Sequence, residues 1–427
     1  MKANLLFAAC ILWAAASQAQ QPVDTLLLDS LLHARADLFA NILADPNKKQ
    51  VQILYTQINR DRRGRPYFKS FGYRLSNSHY FYPASTVKLP TAIFALEKIN
   101  ALNIPGLTRD ATMLTDSAWH KQTPVDADPT AASGLPSIGH YIKKILLVSD
   151  NDAFNRLFEF VGRAEVNEKL RKHGLHSSRI LNRLSVGDGG EYARHTNPVR
   201  FLDKKMRPVY SQPAQYDPKD YPLTLTNTVM GKGYYDSADQ LVMQPFDMGN
   251  RNTFPLADQQ EVMKKLMFPE VYPKKERFLL TPADRILLYH FMSSYPYQAS
   301  FPRYDTAEFF TTYGKFLFYG AEKNTVPEPY IHIYNKIGDS YGFMIDNMYF
   351  VDAKNKVEFL LAAVVQSNDD GIYNDDKYEY QTVCLPFLKN LGQVIYQYEL
   401  QREKKWLPKV SYEVKTSDRP HEGVKGW

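Results

Sequence analysis

The sequence predicts a mixed α+β protein whose antiparallel sheet is assembled from both ends of the chain. Two strand-like runs follow an N-terminal helical stretch, and three strand-like runs precede a C-terminal helical stretch. The residues between them have helical periodicity, which indicates a helical subdomain beside the sheet. We therefore expect an α/β fold with a five-stranded antiparallel sheet, flanked by the N- and C-terminal helices.

The N-terminal elements follow from the spacing of apolar residues. Residues 24–45 carry leucines and an isoleucine at helical spacing and predict an amphipathic helix. Residues 51–59 and 66–75 alternate between apolar and polar side chains, and the charged, glycine-containing stretch 60–65 separates them. This arrangement predicts a β-hairpin.

The remaining elements of the main body are predicted from the same periodicities. They are a helix at 85–100, two helices in 139–161 broken near Ser149, strands at 330–337, 342–352 and 357–366, and an amphipathic helix at 376–400.

Residues 205–275 differ in composition from the rest of the chain. They hold eight of the 26 prolines and are dense in tyrosine. Residues 231–249 predict a hairpin and residues 256–267 a short helix, so the segment is too apolar and too structured for a linker. We interpret it as an inserted lobe and a candidate surface for a protein partner.

The whole chain divides accordingly. We expect a signal peptide at 1–19 and one domain at 20–427. Within that domain the helical subdomain covers 76–204, the lobe 205–275, the remaining helices, strands and C-terminal helix 276–400, and a tail 401–427.

Composition excludes several classes of protein. Apolar residues make up 44% of the 427 residues and charged residues 23%, which argues against intrinsic disorder. The net charge of +6 is small for this length, and no basic run is long enough to clamp a nucleic-acid backbone. We expect a monomer that does not bind nucleic acid.

The N-terminus indicates export. Lys2 precedes a run of 12 apolar residues at 5–16, which is too short to span a bilayer. Ser17 and Ala19 are the small residues that a signal peptidase reads, so we expect cleavage after Ala19 and a periplasmic or secreted protein. A short N-terminal anchor is the alternative. After cleavage Cys384 remains without Cys10, so no intramolecular disulfide can form, and no further segment predicts a membrane span.

Three short motifs carry the candidate chemistry. Ser85 and Lys88 stand three residues apart at a helix start, so hydroxyl and amine share one face. A desolvated lysine can act as the base that activates a serine. A solvated lysine at an exposed helix start is the alternative interpretation of this motif alone.

The second motif is Ser149-Asp150-Asn151, at the break between two helical stretches. A second hydroxyl there can relay a proton, and the amide can hold both the lysine and a substrate carbonyl. Helix capping is the structural alternative, and the two roles are compatible. The third motif, Lys336-Ile337-Gly338, ends a strand-like run. Its lysine would face the cleft, and its glycine would let backbone approach a ligand. An ordinary charged strand end is the alternative there.

In order and placement these motifs resemble the Ser-x-x-Lys, Ser-Asp-Asn and Lys-Thr-Gly set of class A β-lactamases and penicillin-binding proteins. Ser149 follows Ser85 by 64 residues, which suits that family. Lys336 follows Ser149 by 187 residues, which is too long, and the lobe at 205–275 accounts for the excess.

The resemblance implies a β-lactamase/transpeptidase-like fold and a role for each matching residue. Ser85 would be the acylated nucleophile, Lys88 its base, Ser149 the proton shuttle and Lys336 a second cation that lowers the pKa of Lys88. Asn151 and Gly338 would contact substrate, as would Asp339 and Ser340, and the backbone N–H groups of Ser85 and Asp339 would form the oxyanion hole.

Two departures from the family pattern affect the expected activity. Ile337 replaces the hydroxyl residue that helps to bind a substrate carboxylate, and Asp339 adds an anion nearby, although Ser340 is a partial replacement. The segment 180–190 contains no glutamate where class A enzymes carry one, and Asp188 and Glu191 are the nearest acids there. We expect weak binding of penicillin-like acids and slow hydrolysis.

Two competing motifs are weaker. Gly338 to Gly342 fits the Gly-x-Ser-x-Gly elbow, but that elbow needs a helix after the serine, and residues 343–352 alternate like a strand. His173 and His176 are three residues apart without a third ligand, so we interpret them as surface histidines rather than a zinc site.

The sequence therefore predicts a serine hydrolase without a metal or organic cofactor. Its substrate would be a small molecule such as a β-lactam, a peptidoglycan-derived peptide in a D-Ala-D-Ala carboxypeptidase-like reaction, or another amide or ester. The alternative from a different class is a binding or sensing protein that acylates once or not at all.

Overall fold

The computed structural model describes residues 23–187 and 189–409. The expected signal peptide, Cys10, Asp188 and the end of the predicted tail lie outside the described residues.

Ten α-helices lie within the two described ranges, and α9 among them is a single irregular turn. They are α1 (Leu26–Ala34), α2 (Ala36–Ala44), α3 (Lys88–Leu102), α4 (Ile138–Val148), α5 (Asn151–Val161), α6 (Arg163–Lys172), α7 (Leu256–Met267), α8 (Pro282–Ser293), α9 (Phe316–Tyr319) and α10 (Leu385–Gln401). A 3₁₀ turn (Ala84–Val87) precedes α3, and a π-helical turn (Tyr380–Cys384) precedes α10.

Fifteen strands lie in the same described ranges. They are β1 (Gln52–Arg60), β2 (Pro66–Tyr73), β3 (Thr112–Thr115), β4 (His195–Thr196), β5 (Val199–Leu202), β6 (Pro208–Gln212), β7 (Gln215–Tyr216), β8 (Val229–Met230), β9 (Gly233–Tyr235), β10 (Leu241–Val242), β11 (Phe246–Asp247), β12 (Ile331–Ser340), β13 (Phe343–Asp352), β14 (Val357–Gln366) and β15 (Ile372–Tyr373).

The predicted sheet from both chain ends is confirmed. Its five strands run in the order β12-β13-β14-β1-β2, and each neighbouring pair is antiparallel. Leu361 of β14 lies opposite Tyr55 of β1, which joins the C-terminal half of the sheet to the N-terminal half. All residues of β13 and β14 are buried because helices cover both faces of the sheet.

The N- and C-terminal helices pack together on one face of this sheet. Phe39 of α2 and Ile395 of α10 belong to the same core cluster as Phe359 of β14. Each such side chain contributes roughly 1.5–3 kcal/mol on burial, so the two chain ends stabilise one core. On the other face, α7 packs against β1, β13 and β14, although the sequence places it in the inserted lobe.

Helix α3 is the centre of the helical subdomain. Every residue from Lys88 to Ile99 is buried, and α3 contacts α4, α5 and α6. Polar residues such as Glu97 and Lys98 are buried along with the apolar ones, so the whole helix lies inside the subdomain. Its position removes water from the lysine at its first residue.

Four predicted elements differ from the structure at their ends. The helix at 24–45 is two helices, because Arg35 between them leaves helical geometry with φ −122° and ψ 45°. The helix at 85–100 begins as the 3₁₀ turn, and the strand at 330–337 continues to Ser340. The helix at 376–400 does not include residues 376–379, which form a loop instead.

The strands of the lobe belong to two groups: β6 and β7 pair with β5 and β4 of the helical subdomain, and β8 to β11 form nested ribbons. β9 pairs with β10 and β8 with β11, both antiparallel, which confirms the predicted hairpin. β9 also pairs in parallel with β15, which follows the last strand of the main sheet. The lobe is thereby attached to the loop that leads into α10. None of the helices formed by residues 23–187 and 189–409 is long and apolar enough to cross a membrane.

Candidate active site

Ser85 lies in the 3₁₀ turn that leads into α3. The carbonyl oxygen of Pro83 accepts hydrogen bonds from the backbone N of Thr86 at 3.1 Å and from its Oγ1 at 2.6 Å, which fixes the turn. Ala84 has φ +45°, a conformation that costs energy for a residue with a Cβ. Ser85 is half-buried and lines a cleft of about 410 Å³.

Lys88 is fully buried at the first residue of α3. Its Nζ donates to Asn151 Oδ1 at 2.6 Å and to the carbonyl oxygen of Ser149, and it lies 3.2 Å from Ser149 Oγ. Pro90 is the third residue of the helix, where its missing N–H leaves no intrahelical bond unmade. The first two sequence motifs therefore meet at one amine.

The second motif fills the break between α4 and α5. Ser149 ends α4 in the left-handed region with φ +62°, and the Asp150 carboxylate caps α5 by accepting from the N–H of Ala153 at 2.8 Å. Capping and orientation of Asn151 thus occur together. The Asn151 amide Nδ2 donates to Ser185 Oγ at 2.8 Å.

The third motif completes the group from the sheet. Lys336 Nζ donates to Ser149 Oγ at 2.8 Å and to the carbonyl oxygen of Ile337 at 2.9 Å. The Ser149 hydroxyl therefore lies between two lysine amines, one from a helix and one from an edge strand. The structure brings together Lys88, Ser149, Asn151 and Lys336, as the motif pattern predicts.

Gly338 explains how β12 comes so close to the 3₁₀ turn. A Cβ on this residue would lie 2.8 Å from the backbone N of Ser85 and 2.9 Å from the carbonyl oxygen of Pro83. Neither backbone atom can move without unfolding the turn. Glycine at 338 is therefore required to place the end of the strand against the serine.

Burial and repulsion from neighbouring amines lower the pKa values of Lys88 and Lys336. Desolvation lowers the pKa of Lys88 well below its ordinary value, and the Lys336 charge lowers it further, while Asp150 and Asp339 oppose the shift. Desolvation lowers the pKa of Lys336 to about 7, against the opposing carboxylates of Asp339 and Asp346. A neutral amine at Lys88 is the form that can accept a proton.

A third buried amine, that of Lys315, lies near Lys336, and the sequence motifs did not identify it. Lys315 Nζ donates to the carbonyl oxygens of Met292 at 2.7 Å and Ile333 at 2.9 Å, and to Asn335 Oδ1 at 2.8 Å. Asn335 in turn donates to Asp346 at 2.9 Å. Burial lowers the pKa of Lys315 to about 7 and raises that of Asp346 to about 6. The sequence signal that could have indicated this group is Asp346, a carboxylate in the middle of the mostly apolar strand β13.

The remaining predicted contact residues line the cleft or support it. Asp339 is exposed and Ser340 half-buried, and both line the cleft, whereas Ile337 is buried. The cleft walls desolvate Asp339 and raise its pKa, although Lys336 and Lys88 lower it in part. The sequence did not identify the opposite wall, which is formed by Asn374, Asp376, Tyr378 and Tyr380.

The segment at 180–187 occupies the side of the cleft next to Asn151. Leu184 and Ser185 line the cleft, and Ser185 has φ +58°. Residues 180–187 as described contain no carboxylate. Glu191 is exposed and lies 3.4 Å from His195 Nε2 and 4.0 Å from Arg194, and it does not line the cleft.

The two competing motifs have structural roles. The Gly-x-Ser-x-Gly pattern forms a hairpin turn, and His173 makes a buried polar contact. Gly338 to Ser340 end β12 and Phe343 begins β13, so a strand, not a helix, follows the Gly-x-Ser-x-Gly pattern. His173 is buried, contrary to the prediction of a surface histidine. Its Nε2 lies 3.2 Å from Glu97 and its ring stacks on Phe94.

Comparison with known proteins connects this site to a family. The chain matches the model of the β-lactamase enzyme family over residues 35–398. No curated protein matches it. It is similar to the solved structure of a β-lactamase from Desulfarculus baarsii, with 16% identity, 87% of this chain and 98% of that chain covered, and a TM-score of 0.46.

Two further solved structures are similar to the same extent. A β-lactamase from Xanthomonas campestris pv. campestris has 14% identity, 86% and 98% coverage and a TM-score of 0.48. The structure of PBP-A has 16% identity, 85% and 96% coverage and a TM-score of 0.45. Since the family match extends over most of the chain and includes all three motifs, the protein belongs to the β-lactamase enzyme family.

Proposed function

We propose that the protein is a serine hydrolase that acts by acyl transfer through an ester on Ser85. The observation that carries the proposal is the position of the Ser149 hydroxyl, 3.2 Å from the amine of Lys88 and 2.8 Å from that of Lys336. This hydroxyl can receive a proton from Lys88 and pass it to a leaving group, while the Lys336 amine holds it in place and the nucleophile lies in the adjoining cleft.

The proposed reaction moves the Ser85 proton through Lys88 and Ser149 to the leaving group during acylation, and hydrolysis of the ester follows. Neutral Lys88 accepts the proton of Ser85 Oγ as that oxygen attacks the substrate carbonyl. The backbone N–H groups of Ser85 and Asp339 stabilise the oxyanion. Ser149 then passes a proton from Lys88 to the leaving nitrogen or oxygen, and water hydrolyses the ester.

The substrate class within this reaction is a β-lactam, a peptidoglycan-derived peptide, or another amide or ester. A protein that acylates once and retains the adduct is favoured by one observation, the lack of a carboxylate among the described residues of 180–187. Such a protein would act as a binding or sensing protein. We further propose export to the periplasm or exterior, and a protein-binding role for part of the lobe at 205–275.

The test is covalent labelling followed by intact-mass measurement. Wild type and the Ser85→Ala and Ser340→Ala variants are incubated with a fluorescent penicillin and, separately, with a neutral activated ester. We expect Ser85→Ala to abolish the adduct with both reagents and Ser340→Ala to retain it with the neutral ester. Labelling that survives in Ser85→Ala but disappears in Ser340→Ala would make Ser340 the nucleophile and refute the proposal.

A further inference from the structure

We propose that the cleft beside Ser85 selects substrates that carry a cationic ammonium group, and that Asp339 and Asp376 are the residues that recognise it. This inference rests on the proposed acyl transfer at Ser85 and names the substrate class of the same site.

The first argument is the charge of the cleft lining. Two exposed carboxylates, Asp339 and Asp376, stand on its walls, and the described residues that line it include no lysine, arginine or histidine. A carboxylate substrate would meet like charge without a partner, whereas an ammonium group would meet opposite charge.

The second argument is that the lysines beneath the cleft lower the pKa of Asp339 in part but do not line the cleft themselves. Lys88 is 0% exposed and Lys336 is 3% exposed. The hydrogen bonds of both amines go to protein groups, to Ser149 and Asn151 from Lys88 and to Ser149 and Ile337 from Lys336. Neither amine reaches the open part of the cleft as a free point charge.

The third argument is the aromatic content of the same walls. Tyr82, Tyr341, Tyr378 and Tyr380 all line the cleft. The rings of Tyr82 and Tyr341 pack edge to face with centroids 4.8 Å apart. Aromatic faces attract ammonium groups, and they do not attract carboxylates. The tyrosines and the two carboxylates therefore favour the same ligand charge.

The hydroxyls of two of these tyrosines are fixed by the backbone. The Tyr378 hydroxyl accepts from the N–H of Asn374 at 2.9 Å, and the Tyr380 hydroxyl accepts from the N–H of Gly342 at 3.0 Å. Fixed rings lose little conformational entropy when a ligand binds. The wall is thus preorganised rather than formed by the ligand.

The inserted lobe supports this wall. β15 pairs with β9 of the lobe, and the Asn374 amide donates to the carbonyl oxygen of Tyr235 at 2.8 Å. The backbone N of Lys232 donates to the carbonyl oxygen of Gly371 at 2.9 Å. These contacts hold the loop that carries Asp376. None of the residues 205–275 lines the cleft itself, so the lobe acts through the loop.

The experiment compares three activated esters that share an acyl group and differ in one terminal group, which is an ammonium, a methyl or a carboxylate. The rate of adduct formation on Ser85 is measured by intact mass at low and high salt. We expect the ammonium ester to react at least ~10-fold faster than the carboxylate ester, with the methyl ester between them. The advantage should shrink at high salt because exposed charges are screened.

The variants assign the effect to residues. Asp339→Asn and Asp376→Asn should each reduce the ratio of ammonium to carboxylate rates, and Asp339→Lys should reverse it. The ratio is the readout, because loss of Asp339 also perturbs Lys88 and changes all three rates together. Asp370→Asn is the matched control, since Asp370 is exposed on the turn before β15 but does not line the cleft, and its ratio should equal that of wild type.

The outcomes separate this inference from the proposed function. Acylation of Ser85 with equal rates for the three esters, or with a preference for the carboxylate, would refute the cation site and leave acyl transfer intact. A ratio that stays unchanged in all three cleft variants would also refute it. If none of the esters acylates Ser85, the proposed function fails and this inference fails with it.

Discussion

Lys88 has contacts that suit a neutral amine. A neutral amine has two N–H donors and one lone pair, and the structure offers two acceptors, Asn151 Oδ1 and the carbonyl oxygen of Ser149. The third neighbour, Ser149 Oγ, is a hydroxyl that can donate to the lone pair. The contacts therefore agree with the depressed pKa that burial and Lys336 produce.

We predict that Lys88→Arg lowers the rate of acylation by at least ~10²-fold, because a guanidinium stays protonated and cannot accept the serine proton. The measurement is the time course of adduct formation with the neutral activated ester. Lys98→Arg is the matched control. Lys98 is buried in the same helix, but its amine donates to the carbonyl oxygens of Phe160 and Val161, away from the cleft.

Thermal unfolding of both variants separates a misfolded protein from an inactive one. An Lys88→Arg variant that is folded and acylates at a rate near that of wild type would remove the base role. It would leave the lysine as a structural or electrostatic group.

At the scale of elements, the site depends on three segments that meet from distant parts of the chain. The 3₁₀ turn supplies Ser85, the break between α4 and α5 supplies Ser149, and β12 supplies Lys336. The third segment can approach the first because Gly338 has no side chain. The local sequence specifies the conformation of each segment. The packing of the sheet against α3 sets the distances between the three segments.

This division explains what the sequence predicts and what it does not. The strands were predictable because their alternating or continuous apolar runs are bounded by turn residues. The loop at 376–379 was not, since its spacing continues the helical pattern of α10. Its conformation is fixed by tertiary contacts, such as the bond from Asn374 to Tyr235, that no local pattern records. The same holds for Lys315 and Asp346, which Asn335 links by hydrogen bonds that depend on strand packing.

The segment at 180–187 leads to a prediction about the step after acylation. Hydrolysis of the ester needs a base to activate water, and Ser185 stands beside Asn151 without a carboxylate among residues 180–187. We predict turnover of a chromogenic cephalosporin well below the roughly 10 s⁻¹ that is the median for enzymes, with a persistent adduct on Ser85. The decay of the adduct mass after removal of excess reagent measures deacylation apart from acylation.

Two acids near this segment provide the decisive variants. Glu191 contacts His195 and Arg194 rather than the cleft, so Glu191→Gln should leave the decay of the adduct unchanged. Rapid turnover in wild type that is lost in Asp188→Asn or in Glu191→Gln would show that one of these acids activates water. The slow-deacylation prediction would then be wrong.

The molecule as a whole carries a buried group of charges that costs folding energy. Lys315, Lys336 and Asp346 are at most 3% exposed and lie where helical subdomain and sheet meet. Burying ionisable groups disfavours their charged forms, so each amine loses its proton more easily and the carboxyl loses its proton less easily than in the unfolded chain. Because these pKa values differ between the folded and unfolded states, the free energy of unfolding depends on pH.

The sign follows from proton binding in the two states. Between pH 7 and the ordinary lysine pKa, the unfolded chain holds a proton on Lys315 that the folded protein, with a pKa of about 7, has released. The free energy of unfolding therefore rises with pH in this window, by about 2 kcal/mol per lysine between pH 7 and pH 9. Asp346, with its pKa raised to about 6, has the opposite effect at lower pH, which is why the window begins at pH 7.

We predict that Lys315→Met reduces the rise in unfolding free energy between pH 7 and pH 9 by about 2 kcal/mol relative to wild type, as measured by urea unfolding at both values. The variant will also be less stable at each pH, because the carbonyl oxygens of Met292 and Ile333 and the Asn335 amide oxygen lose their donor. Leu288→Ala, at a fully buried apolar position of α8, controls for that general loss and should keep the wild-type rise. A rise in Lys315→Met equal to that of wild type would mean that Lys315 stays protonated in the folded protein, and that Asn335 and Asp346 stabilise its charge more than burial penalises it.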